Sequence, residues 1–364
     1  MPVKYLFVDP SVADHPNVGR FAVNLGLKAQ LLDDPNDLFQ ILKESADPWK
    51  MGKEVLWLTR NKGAFIKKCP GTRDYLCCDY QIMHIGTYCT MDCAYCILQG
   101  YFHPPVLQYF LNHDDLIAEL DDVFASQKTM RIGTGEFTDS LIWENWSELT
   151  PQIVRRFADQ DISVLELKTK TVAIDRLKGL HHNRKTILSW SLNTPRVIRE
   201  QERGTSSLQA RLRAAAQCLE WGYPLSFHFD PMVIYPNCHD EYLGVLDSLF
   251  KQINADAIVW ISMGTFRFMP ALQPIIKRRF PDSAIIYGEF VPGLDNKMRY
   301  FRELRIDLYQ RMAQWLSTHA PNLRFYLCME SETIWQRSFG FSPQAFGGLG
   351  TMLDESARVH CGIR

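Results

Sequence analysis

The sequence predicts an α/β protein whose parallel strands form a barrel, or most of one. The first observation is alternation. Apolar segments with strand patterning are separated by helical segments of about ten to fifteen residues, which is typical of repeated βαβ units. The second observation is extent, because at least six such units follow residue 79 in a chain of 364 residues. In barrels of this kind the chemical groups lie at the carboxyl ends of the strands.

A small α/β unit is predicted to lead into the barrel, over residues 1–75. The segments VKYLFVDP and EVLWLTR have the apolar pattern of strands, and VGRFAVNLGLKA and NDLFQILKESA between them have the pattern of amphipathic helices. Two strands joined through helices form a unit of their own ahead of the barrel.

From residue 79 onward the predicted strands and helices alternate. Acidic residues crowd the first turn of the helix near His113, and Gly222 follows an alanine-rich helix; both are helix-end signals. The segments predicted as strands are YQIMHIG, MRIGTG, SVLELKTK, KTILSWSLN, PLSFHFDPMVI, DAIVWISMG, SAIIYGEF (an edge strand) and LRFYLCME. The segments predicted as helices are HDDLIAELDDVFASQ, WSELTPQIVRRFADQ, AIDRLKGLHH, SLQARLRAAAQCLEWG, EYLGVLDSLFKQI, ALQPIIKRRF and MRYFRELRIDLYQRMAQWLST.

The composition narrows the class of protein. Apolar residues make up 46% of the chain, enough for a full core, and no apolar run is long enough to predict a membrane span. The formal net charge is −1, so a strong nucleic-acid signal over the whole protein is absent, although a local basic patch stays open. The N-terminal segment turns polar too early for a signal peptide, so we expect a cytoplasmic protein.

The ten cysteines are unevenly distributed, and six of them lie between residues 69 and 96. Without an export signal this pattern favours metal or redox chemistry over disulfides. The doublet Cys77 and Cys78, together with Cys69, could be a redox pair, part of a second metal site, or ordinary buried thiols.

Three of these cysteines form the strongest motif in the chain. Cys89, Cys93 and Cys96 have the spacing C-x3-C-x2-C in a polar segment after the first barrel strand, and we call residues 89–96 the cysteine loop. Their thiolates could hold a [4Fe–4S] cluster with one iron left open to another ligand. Zinc completed by His84 or His103, or a group of buried thiols, are the alternatives.

The cysteine loop resembles the signature of the radical SAM enzymes. In that superfamily the open iron binds S-adenosylmethionine, and electron transfer to it yields a 5′-deoxyadenosyl radical. Tyr95 lies at the family's usual aromatic position between the second and third cysteines. The resemblance implies an incomplete (βα)6-type, TIM-like parallel barrel as the fold.

A wider region, roughly residues 55–330, resembles spore photoproduct lyase. The segments that carry this resemblance are DYQIMHIGTYCTMDCAYCILQGYFHPPVLQYFLN, LELKTKTVAIDRLKGLHHNRKTILSWSLN and IREQERGTSSLQARLRAAAQCLEWGYPL. These lyases abstract hydrogen from a thymine photoproduct in DNA and split it back to two thymines. The resemblance implies a radical SAM barrel over residues 76–330 and a C-terminal extension over 331–364, whose FSPQAFGGLGTML segment could cover the barrel mouth.

The resemblance assigns roles to individual residues. Cys89, Cys93 and Cys96 are the predicted cluster ligands. Tyr95 and Glu136 are the candidate catalytic residues. The predicted SAM-binding residues lie at three strand ends and are Glu136, Thr138, Lys170, Ser191 and Asn193. A surface lysine and ordinary turns are the simpler explanations for the last three.

Two residues depart from the lyase pattern. Glu136 occupies the place where the lyases have the cysteine that donates a hydrogen atom to the product radical, and Ile97 occupies the place of a relay tyrosine. The donor could be Cys78, Cys238, Cys328 or a tyrosine, or else the reaction differs. A radical SAM enzyme acting on a small molecule, a peptide or RNA, and a non-catalytic iron–sulfur or zinc protein, are the alternative functions.

The region from Arg267 to Arg305 is locally basic, with eight Lys or Arg and four Asp or Glu residues. It resembles the lyase segment that meets DNA, so the predicted phosphate and stacking contacts are Lys297, Arg299, Tyr300, Arg302 and Arg305. An amphipathic helix with a solvated charged face is the alternative. The resemblance implies damaged DNA and an electron donor such as flavodoxin or ferredoxin as partners. The composition predicts no membrane association, and we expect a monomer.

Overall fold

The computed structural model describes residues 2–71 and 74–364. The strands are β1 (Tyr5–Val8), β2 (Ala29–Leu31), β3 (Val55–Thr59), β4 (Ile66–Lys68), β5 (Gln81–Met83), β6 (Gly86–Thr87), β7 (Asp92–Cys93), β8 (Leu107–Phe110), β9 (Arg131–Gly133), β10 (Val164–Thr169), β11 (Thr186–Ser191), β12 (Glu202–Arg203), β13 (Leu225–Met232), β14 (Ile258–Thr265), β15 (Arg267–Phe268), β16 (Phe290–Pro292), β17 (Met298–Tyr300) and β18 (Phe325–Leu327). The helices are α1 (Pro16–Leu25), α2 (Pro35–Glu44), α3 (Pro48–Glu54), α4 (Leu98–Tyr101), α5 (His113–Ala125), α6 (Leu149–Ala158), α7 (Pro195–Gln201), α8 (Leu208–Glu220), α9 (Cys238–Phe250), α10 (Leu272–Arg279), α11 (Arg302–His319), α12 (Glu332–Phe339) and α13 (Leu349–Cys361).

The larger sheet is the predicted barrel. Its strand order is β18-β14-β13-β11-β10-β9-β5-β4. The pairs from β18 to β5 are parallel, and only β4 runs antiparallel to its neighbour. The sheet curls into a half-barrel, which confirms the predicted incomplete parallel barrel. The strands β11 and β14 are buried along their whole length, as expected for a parallel sheet covered on both faces, and β14 is largely apolar.

A second sheet has the order β2-β1-β3-β8-β6. The predicted N-terminal strands form its centre, but β8 belongs to a later part of the chain and pairs in parallel with β3, with Leu56 opposite Leu107. A single cluster of buried apolar side chains includes Leu6, Leu107 and Leu353. The chain therefore returns to the N-terminal sheet after the cysteine loop, which a division at residue 75 does not anticipate.

Three predicted elements differ from the observed ones. The segment AIDRLKGLHH contains only a short 3-10 turn, Asp175–Leu177, because Gly179 follows in the left-handed conformation and ends the helical path. The segment SAIIYGEF is not a strand up to Phe290, since Ile285 and Ile286 instead pack into an apolar cluster. The predicted long helix begins only at Arg302, because the preceding MRY forms β17.

The C-terminal extension packs against the barrel at the end opposite the mouth. Asp354 of α13 lies 2.7 Å from Arg131 at the start of β9, and Ser356 donates a hydrogen bond to the carbonyl of Val259 at the start of β14. The guanidinium of Arg324, just before β18, lies 5.8 Å from the Phe346 ring. The expectation that FSPQAFGGLGTML covers the barrel mouth is therefore wrong, because these contacts are all at the amino ends of the strands.

Within the described residues, none of the helices has both the length and the apolar character that a membrane crossing requires.

Candidate active site at the cysteine loop

The cysteine loop is fixed by a buried lysine from the N-terminal unit. Lys53, on α3, is 1% exposed and donates hydrogen bonds to the carbonyls of Cys89 and Met91 at 2.9 and 2.5 Å. From the other side, the Gln99 amide donates to the Cys93 carbonyl at 3.2 Å. A buried ammonium needs such acceptors, so the backbone path of the loop is held by groups far from it in sequence.

A two-stranded ladder fixes the centre of the loop. β7 pairs antiparallel with β12, so that Cys93 lies opposite Glu202 and Asp92 lies opposite Arg203. The Ala94 amide extends this pairing with a 2.8 Å hydrogen bond to a carbonyl of α7. Because side chains alternate between the two faces of a strand, Cys93 and Glu202 share one face and Asp92 and Arg203 share the other.

Arg279 binds the outer face of the loop. Its guanidinium donates to Asp92 at 3.0 and 3.3 Å and to Asp47 at 3.1 and 3.2 Å, and it also donates to the Gln99 side chain. Two carboxylates and an amide therefore satisfy one buried cation, which is the fork geometry that arginine suits.

The thiols of the loop are largely withdrawn from solvent. Cys89 and Cys93 are buried and Cys96 is partly buried. Burial raises the pKa of the Cys89 thiol to about 12, and it also raises the pKa of Cys93. The Met91 amide points at the Cys89 sulfur at 3.4 Å. Ionising these thiols requires a nearby positive charge, which is what iron or zinc supplies.

Three cysteine thiols lie on this loop, and thiolate is the ligand type that an iron–sulfur cluster takes. The residues described in the structure contain no group of three or more His, Cys, Asp or Glu side chains placed to hold one metal ion. An iron–sulfur cluster makes a different demand, because each thiolate ligates a separate iron. His84, the zinc alternative, instead contacts Lys67 at 3.3 Å and the ring of Phe110.

A buried polar network adjoins the cysteine loop on its inner face. The Tyr95 hydroxyl donates to Glu202 at 2.5 Å, and Glu202 forms an ion pair with Arg211 in which both side chains are almost fully buried. Burial alone would raise the pKa of Glu202, but Arg211 and Lys170 bring it below its usual range. Neither Glu202 nor Arg211 was predicted from the sequence as a functional residue. The local pattern that could have indicated Glu202 is the stretch ERGTSS, in which this carboxylate comes just before a glycine.

The predicted SAM-binding residues lie at neighbouring strand ends, with Lys170 at the centre. The Lys170 ammonium lies 5.9 Å from the Tyr95 ring, and its backbone amide donates to Asp139 at 2.8 Å. Thr138, which precedes Asp139, is buried. Burial raises the pKa of Asp139, although its hydrogen bonds from Lys170, Thr169 and the backbone lower it in part. β9 and β10 thus bring the GTGEFTD and KTK segments together.

Ser191 and Asn193 lie at the end of β11, but their groups already have internal partners. The Asn193 side chain accepts from the Tyr242 hydroxyl and donates to the Pro231 carbonyl, both at 2.8 Å. The Ser191 carbonyl accepts from Arg211 at 2.7 Å. The Asn193 side chain therefore has a structural role at the end of β11, which is the simpler alternative given for it above. The Ser191 residue is also buried.

Glu136 forms an ion pair with Lys168 at the end of β10. Burial alone would lower the pKa of Lys168, but Glu136 and Glu166 raise it above its usual range. Beneath this pair, Glu166 accepts hydrogen bonds from Ser189 at 2.7 Å and from His228 at 2.9 Å. Near Glu136 the barrel interior therefore contains several polar side chains that are joined by ion pairs and hydrogen bonds.

Two of the three cysteines proposed as hydrogen donors, Cys78 and Cys328, lie close enough to interact electrostatically, and Cys328 also interacts with Glu136. Cys328 follows β18, is partly buried, and its sulfur lies 3.7 Å from an Arg267 nitrogen. Cys238 begins α9 and is also buried, and Cys78 precedes β5. Ile97 is 41% exposed at the edge of the cysteine loop.

The predicted DNA contacts are mostly internal. Arg299 pairs with Asp295 at 2.7 Å, and its guanidinium lies 4.2 Å from the Tyr75 ring. Arg305 pairs with Glu330, and both side chains are buried.

The remaining predicted DNA contacts divide between interior and surface. Tyr300 is buried and stacks on Phe290 at 4.4 Å. Lys297 is half-buried and lies 3.5 Å from Asp295, and only Arg302 is well exposed. A direct phosphate contact needs an accessible cation, so Arg299 and Arg305 are better described as residues that shape this region from within.

A curled parallel half-barrel with a C-x3-C-x2-C loop after its first parallel strand defines the radical SAM class. The spore photoproduct lyase family model matches residues 75–292, and the chain belongs to that family. Spore photoproduct lyase from Clostridium acetobutylicum is 25% identical over 264 residues, which cover 71% of this chain and 74% of that protein. The Bacillus subtilis enzyme is 25% identical over 259 residues, covering 66% and 73%.

Solved structures agree on the fold. A spore photoproduct lyase variant has a TM-score of 0.79 at 20% identity, covering 89% of this chain and 98% of its own. Another variant, solved with bound AdoMet and dinucleoside spore photoproduct, has a TM-score of 0.78 at 20% identity and covers 91% of this chain and 100% of its own. The radical SAM half-barrel is therefore the fold of this protein.

Proposed function

We propose that the protein is a radical SAM enzyme that acts on a thymine photoproduct or a related nucleic-acid lesion. The observation that carries this proposal is the cysteine loop: three cysteines at the family spacing, held rigidly in a member of the spore photoproduct lyase family. The relatives are lyases by name, and the proposal extends their reaction class to this chain.

Cys89, Cys93 and Cys96 would ligate the [4Fe–4S] cluster, and Lys170 with the GTGEFTD segment would bind S-adenosylmethionine. When bound, these cofactors supply a 5′-deoxyadenosyl radical that abstracts hydrogen from the substrate. The protein's own contribution is to position the two cofactors and to shield them from solvent. Burial of Cys89 and Cys93 excludes water and oxygen, and the Lys170 ammonium is suited to a carboxylate of the cofactor.

The polar network places charge next to the proposed cofactor site. Glu202 stays ionised because Arg211 is paired with it, and it holds the Tyr95 hydroxyl by a hydrogen bond. The Tyr95 ring is thereby fixed beneath the Lys170 ammonium. Glu136 is paired with Lys168. To bind the ammonium of S-adenosylmethionine, the Glu136 carboxylate would have to contact both cations or release Lys168.

The partners follow from the same proposal. An external electron donor such as flavodoxin or ferredoxin is required by a reductive cleavage. Free cysteines throughout the described chain and an oxygen-sensitive cofactor suit a reducing, cytoplasmic environment. We propose a monomer that presents the barrel mouth to DNA, with Arg302 as the exposed cation of the predicted contact set.

The first test is cluster loading and cofactor cleavage. Cys93→Ala should lower the iron content and abolish 5′-deoxyadenosine formation after anaerobic reconstitution with dithionite. The matched control is Cys218→Ala, which removes another buried thiol on α8, away from the loop, and should keep both. Full cleavage by Cys93→Ala would contradict the cluster assignment.

The second test addresses the substrate. Incubation with DNA irradiated in the dry state, S-adenosylmethionine and reductant should regenerate thymines, detected by nucleoside analysis. A radical SAM reaction on a non-DNA substrate is the second candidate, and specific observations favour it: Glu136 and Ile97 replace the lyase's donor and relay residues, and Arg299 and Arg305 are buried. Uncoupled 5′-deoxyadenosine without thymine would support this candidate.

A further inference from the structure

A cavity of about 340 Å³ lies on the outer face of the cysteine loop. Thr90 of the cysteine loop lines this cavity. Gly204, which follows β12, also lines the cavity. A Cβ atom added at Gly204 would lie 3.7 Å from the Cα of Met91. The residues that line the cavity are Asp47, Lys50, Thr90, Asp92, Arg203, Gly204 and Arg279.

The cavity faces away from the barrel interior. In the β7–β12 ladder, Cys93 and Glu202 point to the inner face, whereas Asp92 and Arg203 line the cavity. The inner face is the side where Lys170 lies near Tyr95 and where we place S-adenosylmethionine. One thin layer of chain therefore separates the cavity from the thiol face.

The charge of the cavity is unbalanced at its rim. Beneath the rim, the cations Arg279 and Lys53 balance the carboxylates Asp47 and Asp92, so that layer is close to neutral. Lys50 and Arg203 at the rim are exposed, and across the described residues no carboxylate lies within ion-pair distance of either. The result is a concave surface with two uncompensated cations directly behind the thiol ligands.

We propose that this cavity is the docking site of a small acidic one-electron carrier protein. The inference rests on the proposed function, because reductive cleavage needs an electron from outside and the barrel side holds cofactor and substrate. The carrier loses one electron, and the cluster held by the loop accepts it. Electron transfer requires close approach, and charge complementarity between an acidic carrier and Lys50 and Arg203 would provide both steering and orientation.

The test reverses the two rim charges and compares two reductants. In the double variant Lys50→Glu, Arg203→Glu, 5′-deoxyadenosine formation driven by reduced flavodoxin should fall by about tenfold or more at low salt. Formation driven by dithionite, a small ion that needs no docking site, should be unchanged. Independently of activity, titration calorimetry should show weaker binding of oxidised flavodoxin to the cluster-free variant than to the cluster-free wild type.

The matched control reverses Lys128 and Lys251, exposed residues that follow α5 and α9 at the opposite end of the barrel. This control should behave as wild type with both reductants. Equal loss with dithionite, an unchanged flavodoxin rate, or an equal loss in the control would each overturn the docking site. If wild type with dithionite forms no 5′-deoxyadenosine, the proposed function fails, whereas the calorimetry still decides the docking proposal.

Discussion

Glu144 shows how a single buried carboxyl makes stability depend on pH. Its side chain is almost fully buried, and burial raises its pKa to about 7, although Thr150 and Arg176 lower it in part. The acid is therefore neutral in the folded protein under conditions where it would be ionised in the unfolded chain. The contribution of Glu144 to stability is fully present below the pKa of this group in the unfolded chain, and it is lost as the pH rises through the folded-state pKa of about 7.

We expect Glu144→Gln to remove this pH dependence. At pH 5 the variant and wild type should unfold at similar denaturant concentrations. At pH 8 the variant should be more stable by up to about 3 kcal/mol, because it carries no buried charge. Urea midpoints at both pH values measure this, with exposed Glu220→Gln as the control. A gain that is equal at both pH values would argue against titration of Glu144.

A second residue-scale prediction concerns the buried ion pair under the cysteine loop. Arg211→Ala leaves the Glu202 carboxylate buried without its cation, which should cost about 3–5 kcal/mol of unfolding free energy. The double variant Glu202→Gln, Arg211→Met removes both charges and should recover much of the loss. Thermal and urea unfolding test this, and a double variant no more stable than Arg211→Ala would contradict the pairing explanation.

At the scale of elements, the cysteine loop depends on α3 of the N-terminal unit. Lys53→Met keeps the side-chain length but removes the donor to the Cys89 and Met91 carbonyls. We expect a loosened loop and a clear fall in iron bound per chain after reconstitution, measured by iron analysis and absorbance. Lys50→Met, an exposed change on the same helix, should load normally. Equal loading of both variants would show that Lys53 does not support the loop.

The same elements show what sequence could and could not predict. The C-x3-C-x2-C spacing is local, so the loop and its place after a barrel strand were predictable. Lys53, Arg279 and Glu202 reach the loop from distant parts of the chain, and no local pattern reports that approach. The burial of Arg299 and Arg305 was not predictable, because a basic run normally indicates a solvated face, whereas here their guanidinium groups pair with Asp295 and Glu330 in the interior.

At the scale of the whole molecule, α13 closes the base of the barrel. Its carboxylate Asp354 is the ion-pair partner of Arg131, which is buried at the start of β9. Asp354→Asn should cost about 3 kcal/mol of unfolding free energy, since it leaves a buried cation without its counter-charge. Glu355→Gln, an exposed neighbour on the same helix, should be neutral. Equal urea midpoints for the two variants would contradict this role for the extension.

The return of the chain to the N-terminal sheet has a consequence for how the protein matures. The cysteine loop lies between β5, which belongs to the barrel, and β8, which belongs to the other sheet. Its geometry is therefore complete only after both sheets have formed and β8 has made its long-range pairing with β3. Such non-local pairing is slow compared with local structure. A cluster-assembly machinery would accordingly receive a nearly finished protein, and iron uptake would report the last step of its folding.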